Sequence, residues 1–142
     1  MAPIDKKTID EKLFKLQEAI KIFDELKGES KDTFLKDAKI QGAIMFNLII
    51  GIELIVDIGN HILTEVFQKP AKTYRDVIAY LGEANVISGA FAKENEAMAD
   101  FRNKLIHDYG RVELGRVYEY SQKAPDIFRQ FARYYAEFLE KG

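Results

Sequence analysis

The chain has 142 residues and no cysteine, with 21 Lys and Arg against 23 Asp and Glu and a formal net charge of -2. That length suits one domain with its own core, and the lack of cysteine excludes disulfide frameworks, thiolate catalysis and cysteine-ligated zinc. A near-neutral balance excludes a general attraction for nucleic-acid phosphates, so any such binding must be local. Acids outnumber bases before residue 100, whereas Arg102, Lys104, Arg111, Arg116, Lys123, Arg129 and Arg133 tilt the last third positive. The plain alternative for that tilt is a set of solvated helix faces. The first residues, Met1 to Lys7, lack the apolar core of a signal peptide, and the reading is cytoplasmic. No membrane span is expected, because the apolar run from Ile40 meets Glu53 and Asp57 before the ~20 residues a span requires.

Thr8 and Glu11 have capping-box spacing, and Ile9, Leu13, Leu16, Ile20 and Phe23 recur at steps of four and three. They predict a first helix, with Gly28 as its left-handed stop. A second and longest helix is predicted from Asp32 until Pro70 forbids it. It is apolar on nearly all sides between Ile40 and Ile58, as befits a central spine. Gly42, Gly51 and Gly59 would each weaken it, so their expected use is close approach of another backbone, a partner subunit's among the options.

Thr73 and Asp76 open a short third helix that Gly82 closes, and Ser88 caps a fourth with Phe91, Met98, Phe101 and Leu105 as its core stripe. Gly110 should end that helix. Leu114 to Tyr120 reads as helical, Pro125 restarts or kinks the helix beyond it, and Ile127, Phe128, Phe131, Tyr135, Phe138 and Leu139 form the last apolar stripe. Nothing alternates with the period of a strand. The expected fold is all-α, an up-and-down bundle of about five helices in which the long second helix, the fourth and the fifth form the core.

Chemistry concentrates at the end of the fourth helix. Arg102, Asn103, His107 and Tyr109 lie within two turns, where an ideal helix puts Arg102 and Tyr109 about 20° apart and turns His107 about 140° from Arg102. One copy of Arg102 and one of His107 splay too widely to close on a single atom, so a second copy of the chain would complete the site. RNA cleavage by attack of the 2′-hydroxyl on the adjacent phosphate needs a base, an acid and a cation, for which two histidines and two arginines across a two-fold axis would serve. The plain alternative is a solvated helix face with an ordinary histidine. Asp57 and His61, four apart near Asn60, form a second-ranked cluster whose simpler reading is a histidine satisfied by a carboxylate one turn away. There is no glycine-rich phosphate loop, zinc-binding His pair or nucleophile elbow, and no metal or cofactor is expected.

Arg102-Asn103-Lys104-Leu105-Ile106-His107-Asp108-Tyr109 matches Arg-x4-His-x-Tyr. With it come the apolar helix ending in Asp57-Ile58-Gly59-Asn60-His61-Ile62, Thr73-Tyr74, and the joint from Gly82 to Ser88. Through these residues the chain resembles the HepT-like branch of the HEPN superfamily, the toxin partner in MntA–HepT systems. The resemblance implies a homodimeric helical bundle and a metal-independent endoribonuclease of a type VII-like toxin–antitoxin pair. It implies Arg102 and His107 as the catalytic pair, with Asn103 orienting the imidazole or contacting RNA. It implies Tyr109 as the residue to which a cognate MntA-type nucleotidyltransferase antitoxin transfers AMP. The other classes considered are a non-catalytic nucleotide-binding or helper module for a separately encoded nucleotidyltransferase, and a helical dimerisation domain with a fortuitous motif.

Overall fold

A computed structural model describes residues 4–141. Among them are seven α-helices: α1 (Lys6–Leu26), α2 (Lys31–Lys36), α3 (Ala38–Glu65), α4 (Tyr74–Glu83), α5 (Gly89–Asn95), α6 (Ala97–His107) and α7 (Leu114–Lys141). A 3-10 turn, Tyr109–Arg111, joins the last two, and no strand occurs among the described residues. The all-α class and the long core helix are as expected. The element boundaries differ where one residue changes the path of the backbone.

Asp37 divides the predicted second helix. Its extended backbone ends α2, and its carboxylate accepts from the N–H groups of Lys39 and Ile40, capping α3. Glu96 alone separates α5 from α6, with helical backbone and no side-chain cap bond. Pro125, by contrast, lies inside the continuous helix α7 and is buried there. The N-cap of α1 is Asp5 rather than Thr8: its carboxylate accepts from both the N–H and the hydroxyl of Thr8. Those two bonds hold the Asp5 carboxyl below its usual range.

Glycine stops are scarcer than the sequence suggested. No described glycine has positive φ, so Gly28 does not close α1 by a left-handed turn. At the end of α4 that role falls to Asn85, with φ of 61°. Val86 N–H donates to the Leu81 carbonyl and Asn85 N–H to that of Gly82, the paired bonds of a Schellman close. Thr73 and Ser88 cap α4 and α5 as expected.

The core is centred on α3, which packs most extensively against α1 and α7, so the first helix belongs to the centre. Phe23, Phe34, Phe128, Phe131 and Tyr135 are fully buried with Leu16, Leu48, Ile52, Ile55, Ile58 and Ile62. Burying each large apolar side chain contributes roughly 1.5–3 kcal/mol before conformational entropy is set against it. Gly51 faces the edge of Phe128, and Gly59 faces Leu81, Val77 and the Tyr135 hydroxyl, whereas Gly42 has nothing within 4 Å of a would-be Cβ. The close approaches are therefore side chains of the same chain. Helix α3 is long and apolar enough to cross a membrane, but 56% of its most apolar window is buried inside this bundle.

Candidate functional site

Helix α6 lies on α3, with Met98, Ala99 and Leu105 buried and Phe101 against Tyr120 at 5.0 Å between ring centroids. Arg75 of α4 anchors its first turns through Glu96 at 2.9 Å and Asp100 at 2.5 Å. These contacts set the direction in which Arg102 leaves the helix.

Arg102 does not stand on a solvated face. Its side chain is only 13% exposed and runs along α3, where Nη2 donates to Glu53 Oε1 at 2.9 Å. Nη1 donates to Asn103 Oδ1 at 3.0 Å, and the guanidinium carbon lies 4.6 Å from the ring centroid of Tyr74. The Tyr74 hydroxyl points to the same Glu53 oxygen, at 3.5 Å. Burial raises the Tyr74 phenol, against a smaller lowering by Arg102, so Tyr74 remains a donor at neutral pH. Arg102 Nε is buried without a hydrogen-bond partner. The guanidinium is thus fixed by a carboxylate, an amide and an aromatic face, a combination suited to arginine and beyond the reach of lysine.

His107 is exposed in the last turn of α6. Five residues of ideal helix separate it from Arg102 by about 7.5 Å along the axis and about 140° around it. The wheel cannot be extended to Tyr109, because the α-helix stops at His107, Asp108 leaves helical geometry, and Tyr109 begins the 3-10 turn. The side chain of Tyr109 lies outside the described residues.

The second cluster comes apart. Asp57 pairs with Lys12 of α1 at 3.6 Å, and the His61 ring faces Glu65 at 3.4 Å, one turn toward the C-terminus rather than back to Asp57. The basic tilt of the last third is partly neutralised as well: Arg111 pairs with Asp108, Arg116 with Glu113, and Arg129 with Asp24 and Asp126.

Glu53 and Tyr74 are the residues that sequence reasoning overlooked. A signal for Glu53 existed, since it is the single acid between Asp37 and Asp57 in an apolar helix. A carboxylate so placed requires a partner. Tyr74 was named only with Thr73 among the residues that carry the resemblance, with no role at the site.

The described residues form an all-α bundle in which one helix carries a clamped arginine and, five residues on at its end, an exposed histidine. The family is given by comparison: the Ribonuclease HepT-like family model matches residues 16–135, and the chain belongs to that family. The mRNA nuclease HepT of Shewanella oneidensis is 27% identical over 120 residues, covering 84% of this chain and 90% of that protein. A solved structure of the tri-AMPylated Shewanella oneidensis HEPN toxin in complex with MNT antitoxin superposes with a TM-score of 0.80 at 26% identity, covering 89% of this chain and 94% of that one. The cytosolic protein YutE of Bacillus subtilis, of unknown function, has a TM-score of 0.85 at 20% identity over 99% of this chain and 94% of its own, a likeness of fold alone.

Proposed function

We propose that this protein is the cytoplasmic ribonuclease toxin of a toxin–antitoxin pair, a homodimer that cleaves RNA without a metal through Arg102 and His107. The observation that carries this reading is the clamped Arg102 guanidinium with exposed His107 at the end of the same helix. Family membership and the mRNA nuclease relative support the reaction class. In the step proposed, one imidazole removes the 2′-hydroxyl proton, the 2′-oxygen bonds to phosphorus, and the bond from phosphorus to the 5′-oxygen breaks. A second imidazole protonates the departing oxygen, leaving a 2′,3′-cyclic phosphate and a 5′-hydroxyl. Arg102 offsets the charge of the crowded phosphorane.

The second imidazole comes from a second copy. A stripe of α3 runs toward the site through Phe46, Ile49, Ile50 and Glu53, positions that fall within about 60° of one another's mean on an ideal helix. Phe46 is 62% exposed, Ile49 and Ile50 are half-buried, and Ile106 beside His107 is exposed. An apolar stripe leading to a charged site is suited to self-association.

Incubating the purified protein with RNA in excess chelator tests the reaction. Cleavage is expected to persist, and His107→Ala to lose at least about a hundredfold in rate while remaining a folded dimer. Saturable nucleotide binding with no cleavage would instead assign the protein to a helper role.

Neutralisation is proposed to run through Tyr109. Its phenol oxygen would attack the α-phosphorus of ATP held by a cognate nucleotidyltransferase, with pyrophosphate leaving, and the added AMP would block the RNA groove by bulk and charge. The AMPylated Shewanella toxin supports this step. Mass spectrometry after co-expression is expected to find AMP on the peptide containing Tyr109. A neutralised but unmodified protein would contradict it.

A further inference from the structure

Glu53 holds a position that Arg102 chemistry does not by itself require. The two residues are 49 apart in sequence and belong to different helices, so their contact exists only because α6 lies on α3. One oxygen, Glu53 Oε1, takes the Arg102 Nη2 bond at 2.9 Å and faces the Tyr74 hydroxyl at 3.5 Å. Tyr74 in turn covers one face of the guanidinium. Asn103, adjacent in the chain, holds Nη1. An arginine side chain has four rotatable bonds, and these contacts remove its freedom before any phosphate arrives.

We infer that Glu53 is the positioning residue of this site: through one carboxylate oxygen, with Tyr74 packed behind, it fixes the plane in which Arg102 meets the scissile phosphate. This rests on the ribonuclease reading given above. Glu53 is an acceptor only and would repel phosphate, so it does not touch substrate and acts through Arg102 alone. The geometry matters because electrostatic stabilisation of a phosphorane depends on donors held ready at fixed positions, and displacement of about 1 Å can cost up to about a hundredfold in rate.

A purely structural Glu53 would serve only to neutralise a half-buried arginine. Two variants separate the roles and keep a polar side chain beside the arginine. Glu53→Asp retains the charge and withdraws the oxygen by about one bond length, roughly 1.5 Å. Glu53→Gln retains an oxygen at the same reach and drops the charge. Both are to be assayed as the full chain, with thermal unfolding and steady-state kinetics on one RNA, beside the parent protein and Arg102→Ala.

Positioning predicts that Glu53→Asp lowers kcat by about tenfold or more with KM within about twofold, at an unfolding temperature close to the parent's. Glu53→Gln is expected to keep at least half the parental kcat. A Glu53→Asp protein with parental kcat overturns the inference, as does a Glu53→Gln protein no more active than Glu53→Asp. In either case an inactive Arg102→Ala leaves the ribonuclease reading intact. Parent protein that does not cleave, or Arg102→Ala that cleaves as the parent does, overturns both.

Discussion

Arg102→Ala is expected to lower kcat/KM for RNA cleavage by at least about a hundredfold, or about 2.7 kcal/mol of transition-state stabilisation. The loss has two physical sources. The cation facing the phosphorane is gone, and Glu53 is left without the guanidinium it meets at 2.9 Å. Arg102→Lys retains the charge but cannot join Glu53, Asn103 and a phosphate at once, because an ammonium lacks the planar fork. It should therefore fall between the parent and the alanine variant. A kcat/KM for Arg102→Ala within about threefold of the parent's would remove Arg102 from the reaction. Circular dichroism on the same samples shows whether the bundle has survived. Glu53 keeps about a third of its side-chain surface in water, so its loss of partner should be tolerated.

Two glycines of one helix should respond to alanine with opposite signs. At Gly42 an added Cβ meets nothing within 4 Å, and Gly42→Ala is expected to stabilise by about 0.5–1 kcal/mol through helix propensity. At Gly51 the same atom would stand 2.3 Å from Phe128 Cε2, with two more ring carbons at 3.0 Å. Phe128 is fully buried and packs edge-on against Phe23 at 5.8 Å between centroids, so the ring has no space into which to retreat. Gly51→Ala is therefore expected to destabilise by about 1–3 kcal/mol despite its better propensity. Urea denaturation of the two variants beside the parent measures both. Equal effects at the two positions would mean that α3 and α7 are less closely packed than the structure has them.

Much of the helical layout was legible because the interactions that define it are short in sequence. Thr73 caps α4 through Asp76 and Ser88 caps α5 through Phe91, each spanning three residues. The same is true of the motif: Arg102, Asn103 and His107 were assigned to a helix end by spacing, and α6 does end at His107. The misplaced boundaries have local causes too weak to read in advance. Asp37 stops a helix by turning its carboxylate on the N–H groups of α3, and an aspartate in a long helical run looks like an ordinary surface acid. Pro125 is the converse case: of the two expectations, a restart or a kink, the restart does not occur, and the residue lies buried within one helix.

By itself, then, the sequence determined an all-α chain, a long apolar central helix and a cluster of reactive groups at one helix end, since periodicity and capping act over a few residues. Tertiary structure alone decided what those groups face. Glu53 and Tyr74 reach Arg102 from other helices, and Asp57 turns to Lys12 of α1. Such pairings depend on how α3 packs against α1, α4 and α6, and that packing is settled by side chains distributed along the whole core. Spacing left a solvated face open as the alternative for Arg102, whereas the bundle draws it inward along α3 and leaves His107 exposed.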